Sequence, residues 1–573
     1  MEDFKIDKYS KEIRLINQNH FLSLRKKIKN NEYHNKYNHI LKKTETDNEN
    51  IKFNFDIKKI QFKIEKEKLY DLYMNCKEEI PKLGYLMQMI ITQDDNLIIF
   101  SLNQLNDYLH NINKTDFEFK NLKKEFNENM FKYLFDILDK KYKENDIALL
   151  LTLIINKLCQ YDNQYCIWLI KSLDKLINII KILNDNNNQN HIINKLFIII
   201  NNIFLLENLE IYKNDLEAIG KDFFSIIINS IYNIISNKLS KKCMSTILTI
   251  LNNIFINRLF FDYVFKNADK IKDKEKNIFD SIKYIIKNKT IYELCDSSIL
   301  CLYNFIEYYM EIKDKLCERD IDEINYRLCN MNIPKFIVPF IFDDKDKIIN
   351  NNIKLYIFKI LINTIYIGDS EYWSDLLEKN LISQIIKLQN FLLSINIDKN
   401  SSSIFEHHLL LIFNLVSTEY NEVISHITIK NPCISNLFKF FNSNNSFINK
   451  QLDLFLNILH RLIINQCKYR KKICNFSYVK TFLLSEGICE FFKKLLLDEK
   501  LNQDLIKNIF LDILALIEYY NDYIEILNGN IVLLHFQKIG MNDVINNYKS
   551  KIHYSNELMN IIVEVSNKLN LEK

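Results

Sequence analysis

Six glycines and four prolines are all that this 573-residue chain contains. Glycine supplies positive φ and close backbone approach, so tight hairpins, phosphate-cradling loops and strand-to-helix crossovers all draw on it. A chain this poor in it is not expected to be an α/β enzyme or a β-sandwich. Helix must follow helix. Hydrophobic residues make up 48% and charged residues 26%, the ordinary balance of a globular protein with ample apolar surface to bury. At this length the chain has to be several domains or one repeat array.

The formal net charge is +4, close to balance for the size, so a nucleic-acid partner is not expected. Twelve cysteines are scattered without paired spacing. Cys467 and Cys474 enclose a charge run, Lys468 to Lys472, rather than a zinc loop. The start, Met1-Glu2-Asp3-Phe4-Lys5, lacks the apolar core of a signal peptide. Apolar runs such as Leu196 to Ile200 are broken by Asn or Lys well before membrane-spanning length. The expectation is a reducing setting in the cytoplasm and nucleus, with no membrane insertion.

Residues 1–50 are basic and asparagine-rich, with few large apolar side chains, and are expected to form a flexible arm rather than fold alone. From about residue 57 the helical period takes over. Ile147 to Leu158 is apolar nearly all round, as in a helix sandwiched between neighbours. Polar Gln160 to Gln164 follows, then a second apolar helix from Cys166. The unit recurs with an asparagine near the end of its apolar helix: Asn156, Asn202, Asn253, Asn304, Asn363 and Asn414 stand 46, 51, 51, 59 and 51 residues apart. Helical repeats of the armadillo and HEAT kind have a period of about 40–47 residues and bury their faces only by stacking.

The expected fold is therefore all-α: a right-handed armadillo/HEAT-type solenoid of about ten repeats. Its expected organisation is an arm over 1–50, the solenoid over 57–545, and a C-terminal helix or tail over 546–573.

Three segments resemble the importin-α family. Phe21 to Glu32 is similar to its importin-β-binding segment, with Leu24-Arg25-Lys26-Lys27 followed by Lys29. Asn363 to Asp369, with Gly368 at the turn, resembles the family's repeat signature. Phe482 to Leu496, broken at Gly487, resembles the second and third helices of a late repeat. The resemblance implies a concave groove in which the six asparagines hold the backbone of a basic signal peptide, with Glu207, Glu307 and Glu419 as acidic partners of its lysines. It also implies an importin-β-like carrier that grips Leu24, Arg25, Lys26, Lys27 and Lys29.

The chain departs from the family one turn before each asparagine. The family places tryptophans there to sandwich lysine stems. Here the positions read Thr152, Ile198, Thr249, Leu300, Lys359 and Leu410, and only Lys359 matches the basic residue the family has at that repeat. Trp168 and Trp373 fall outside the register and are expected to be packing residues.

No catalytic constellation emerges. Glu406-His407-His408 is read as a core or surface histidine pair, because adjacent residues diverge on a helix. No phosphate loop or nucleophile elbow is present, so neither an enzyme nor a cofactor is expected. The preferred expectation is an adaptor for protein import into the nucleus. The alternative is a scaffold of the same fold that has lost classical cargo recognition. A more remote one is a HEAT-like regulatory subunit.

Overall fold

The computed structural model describes residues 64–111, 127–266, 278–287, 295–338, 351–368, isolated positions between 372 and 393, 399–468 and 487–570, with short gaps inside several of these stretches. Among the described residues the regular structure is helical and no strand occurs. The basic arm, with Leu24, Arg25, Lys26, Lys27 and Lys29, lies outside them, as do Glu419, Trp373 and all of the 468–472 charge run but Lys468.

The chain divides into two compact units, Met1–Ser101 and Leu102–Lys573. In the first, α1 (Ile64–Asn75) and α2 (Glu79–Ile91) pack on the start of α3 (Asp95–Asn111). Leu69, Tyr70 and Tyr73 lie against a buried cluster of Leu86, Met89, Leu97 and Phe100.

The second unit opens with α4 (Glu128–Lys141), α5 (Asn145–Tyr161), α6 (Asn163–Ile170), α7 (Leu173–Asn186) and α8 (Asn190–Phe204). It continues through α9 (Lys213–Ala218), α10 (Gly220–Ile235), α11 (Lys241–Ile256), α12 (Ile278–Lys287) and α13 (Cys295–Ile312). Next come α14 (Glu318–Asn330), α15 (Ile333–Ile337), α16 (Asn351–Ile367), α17 (Lys399–Ser417), α18 (Asn421–Ser425) and α19 (Cys433–Ser443). Last are α20 (Asn449–Lys468), α21 (Ile488–Leu496), α22 (Gln503–Asn521), α23 (Ile531–Lys538), α24 (Met541–Lys549) and α25 (Asn556–Asn570).

Two rows organise these helices. The long helices α5, α8, α11, α13, α16, α17, α20, α22 and α25 each pack on the next, forming one continuous row. Behind it α4, α7, α10, α12 and α15 pack in succession, and α21 packs on α24 in the same manner near the end. The all-α solenoid expected from the sequence is thus what the chain forms. The unit differs from the two-helix one read from the sequence: a short helix such as α6, α9 or α23 precedes each pair, α7–α8, α10–α11 or α24–α25. Gly487 opens α21, a back-row helix, and the long helix of that repeat is α22, beyond the segment matched by resemblance.

Stacking explains the apolar girth of the front-row helices. With neighbours on both flanks and a second layer behind, three sides must be apolar; in α5, Leu151, Ile154, Ile155 and Leu158 are wholly buried. Caps replace the scarce glycine at helix starts. The side chain of Asn127 accepts from the amides of Asn129 and Met130, Asp162 from that of Gln164, and Asn530 from that of Leu533, each satisfying an orphan donor of the first turn. Glycine is kept where a left-handed residue enters a helix, at Gly487 (φ +75°) and Gly540 (φ +71°).

Candidate binding face

On α8, α11, α16 and α17 one register of residues mixes exposed and half-buried positions with buried ones. On α8 it comprises His191, Asn194, Lys195, Ile198, Asn202 and Leu205, a spacing that keeps every member on one side of the helix. On α11 the same stripe reads Lys242, Ser245, Thr246, Thr249, Asn253 and Ile256, each 51 residues later. On α16 it reads Leu355, Tyr356, Lys359, Asn363 and Tyr366. On α17 it reads Glu406, His407, Leu410, Asn414 and Ser417, again 51 residues on. The asparagine phase read from the sequence therefore marks this stripe.

The asparagines themselves turn into the seams between helices. Asn202 Nδ2 donates to Asn156 Oδ1 at 2.8 Å, Asn253 Nδ2 to Asn201 Oδ1 at 3.2 Å, and Asn304 Nδ2 to Asn252 Oδ1 at 3.0 Å. Asn363 Nδ2 donates to Glu307 Oε1 at 3.2 Å and Asn414 Nδ2 to the carbonyl of Ile362 at 3.3 Å. A further rung, Asn508 to Asn457 at 3.3 Å, was not picked out in the sequence. Asn202, Asn253, Asn304 and Asn363 are all at most 8% exposed; Asn156 and Asn414 are half-buried. Each rung commits one amide N–H to the preceding helix, an intramolecular use that the groove expectation did not include.

The other expected positions scatter. Glu307 is buried within the ladder, whereas Glu207 is exposed just beyond α8. Thr152 is wholly buried with its hydroxyl on the Leu149 carbonyl at 2.8 Å, so it lies off the open face. Past its first turn, the residues of α5 that keep some exposure are Leu153, Asn156, Lys157, Gln160 and Tyr161. Lys359 is buried with its ammonium over Tyr303 and Tyr356, 5.3 and 5.9 Å from their centroids. Its charge is thereby held by cation–π attraction from two adjacent helices. Trp168 packs edge-on against Tyr165 at 5.2 Å.

His407 and His408 diverge as adjacent helical residues do. His407 Nδ1 meets the Ser403 carbonyl at 2.8 Å. His408 is wholly buried, its Nε2 3.1 Å from Gln389 Oε1. Gln389 Nε2 donates to the Cys433 carbonyl at 2.7 Å, which leaves its Oε1 to accept and places the histidine proton on Nε2. Burial pushes this imidazole down to about 3, so it stays neutral. Among the described residues no group of three His, Cys, Asp or Glu is placed to hold a metal ion.

Two charged pairs escaped the sequence reading. His460 Nδ1 on α20, partly buried, lies 2.6 Å from Oδ1 of buried Asp512 on α22. Arg258, just past α11, forks onto Glu311 of α13 at 2.7 and 2.5 Å. Both pairs span one repeat, 52 and 53 residues, and that separation was the only signal available.

Cations outnumber carboxylates over the first part of the face. Burial brings Lys157 down to about 8 while Asp107 opposes it, and its ammonium reaches the Asn106 carbonyl at 3.4 Å. Lys195 is lowered by burial and then by Lys242. No single described helix is long and apolar enough to cross a membrane.

No family model matches the sequence, and no curated protein matches it. Among solved structures, one from work on the phosphorylation switch that controls the interaction between cadherin and beta-catenin covers 88% of this chain and 91% of its own. Its TM-score is 0.51 at 11% identity, a likeness of fold alone. An importin β crystal structure covers 88% of this chain and 76% of its own at 9% identity, with a TM-score of 0.23. That value is too low to bear on function. The fold is a repeat solenoid of the armadillo/HEAT type.

Proposed function

We propose that this chain is a non-catalytic protein-binding scaffold that holds an extended segment of a partner along the open stripe of its front-row helices. The observation that carries this reading is the register. The same register recurs from α8 to α11 and from α16 to α17, 51 residues apart in each case, so the two helices of a pair offer equivalent positions to one extended chain. The ladder asparagines, in this reading, serve the solenoid by tying each helix to the one before. A photo-cross-linking residue at Ile198 or Thr249 should capture partner protein, whereas one at exposed Tyr284 on the back row should not. Equal capture from Tyr284, or none from the stripe, would remove the basis for the proposal.

A second reading is the nuclear-import adaptor: a basic signal peptide on the same stripe, and an importin-β-like carrier on Leu24, Arg25, Lys26, Lys27 and Lys29. What favours it is the order of segments, a basic arm ahead of the repeats. A pull-down with importin β, comparing the full chain with one beginning near residue 50, tests it directly. Equal recovery of the two would exclude the arm as the carrier-binding element.

A further inference from the structure

The stripe shared by α8 and α11 has one sign of charge. Over their whole lengths these helices carry His191, Lys195, Lys241 and Lys242 and no Asp or Glu. Lys195 is half-buried in the second turn of α8, and Lys242 is exposed at the start of α11. The two helices pack side by side, and Thr246 Oγ1 donates to Asn194 Oδ1 at 3.2 Å, pinning them beside the lysines. Among the described residues no carboxylate pairs with Lys195. Its one charged neighbour of consequence is Lys242, which adds to burial in disfavouring the ammonium. A cation held partly out of water beside a like charge is unfavourable in the free chain, and an incoming anion relieves it.

Further along the stripe the surface turns mixed. Ile198, Thr249 and Ile256 are half-buried and Leu205 is 39% exposed. A ligand that suits both parts carries carboxylates and aliphatic groups in alternation. The patch also ends with these two helices, since α5 has Asp146 and α13 has Asp296 in its first turn. A nucleic-acid backbone would call for a longer basic track.

Building on the scaffold reading, we infer that the α8–α11 face docks an acidic, extended peptide segment of a partner protein, its carboxylates on Lys195 and Lys242 and its aliphatic side chains on Ile198 and Leu205. The charge preference is opposite to that of a receptor for lysine-rich signals.

Fluorescence anisotropy with the full chain tests this, using a labelled peptide that alternates glutamate with leucine, its lysine-for-glutamate counterpart, and an oligothymidine. The glutamate peptide should bind most tightly and weaken as salt is added. Lys195→Glu with Lys242→Glu should weaken it by on the order of tenfold or more. Lys195→Gln with Lys242→Gln should fall between, and serves as the comparator if the double charge reversal loses helix by far-UV dichroism. Tighter binding of the lysine peptide or of the oligothymidine overturns the inference. So does failure of the parent to bind the glutamate peptide, or unchanged affinity in a folded double variant. Cross-linking from Ile198 that persists in any of those cases leaves the scaffold reading standing, so the two failures are separable.

Discussion

Asn253 Nδ2 donates to Oδ1 of Asn201, 3.2 Å away and one repeat earlier, with both side chains buried. The bond works because asparagine comes in doublets here. Adjacent helical residues point about 100° apart. Asn202 therefore reaches back to Asn156 while Asn201 meets Asn253 of the following helix, and the doublet at Asn252 and Asn253 repeats the arrangement toward Asn304.

Replacing Asn253 with Ala should destabilise the solenoid by about 1–3 kcal/mol, because it strands the buried Oδ1 of Asn201. Replacing both with Ala should cost less than the sum of the two single changes, since the second removes the stranded acceptor. Urea unfolding of the parent, the single variants and the double variant measures the coupling. Strict additivity would show that the rung contributes nothing.

His460 and Asp512 should make stability fall on the alkaline side. Burial pulls the imidazole down, but the charge and hydrogen bond of Asp512 together hold it above its ordinary 6.5; burial likewise raises Asp512. A group whose pKa is raised by folding stabilises the fold below its unfolded value and loses that contribution as pH climbs through the folded one. The melting temperature should decline from about pH 6.5 upward through the raised His460 value, and Asp512→Asn should flatten the decline. An identical slope in that variant would assign it to other groups.

His408 acts on the acid side with the opposite sign. Its folded pKa is about 3, so its contribution is full above the unfolded value near 6.5 and is lost progressively as pH falls toward 3. His408→Gln should lower stability at neutral pH, because the contact with Gln389 is altered, yet leave a shallower acid limb. Melting curves across that range provide the comparison, and an unchanged acid limb would argue against the assignment.

Arg258 holds a left-handed φ of 57°, a conformation that costs a non-glycine residue about 1 kcal/mol. Its fork onto Glu311 compensates. Both Arg258→Ala and Arg258→Gly lose that pair, but only Ala retains the backbone strain. Ala should therefore be less stable than Gly by about 1 kcal/mol, read from hydrogen exchange at the end of α11. Equal protection in the two would mean that the turn relaxes without the ion pair.

Some of this was legible in the sequence, because it rests on short-range rules. The near-absence of glycine and proline removes the backbone conformations that sheets and sharp loops require, so an all-helical chain follows from composition. Repeat length and the phase of Asn202, Asn253, Asn363 and Asn414 follow from helical periodicity. The tertiary structure decided where those side chains go. The two flanks of a helix are equivalent until neighbours are in place, and only stacking turned the carboxamides into seams and left Lys195 and Lys242 on the open stripe. Pairs such as His460–Asp512 and Arg258–Glu311 join residues a whole repeat apart, where no local preference acts. Their partners are chosen by which helix packs beside which.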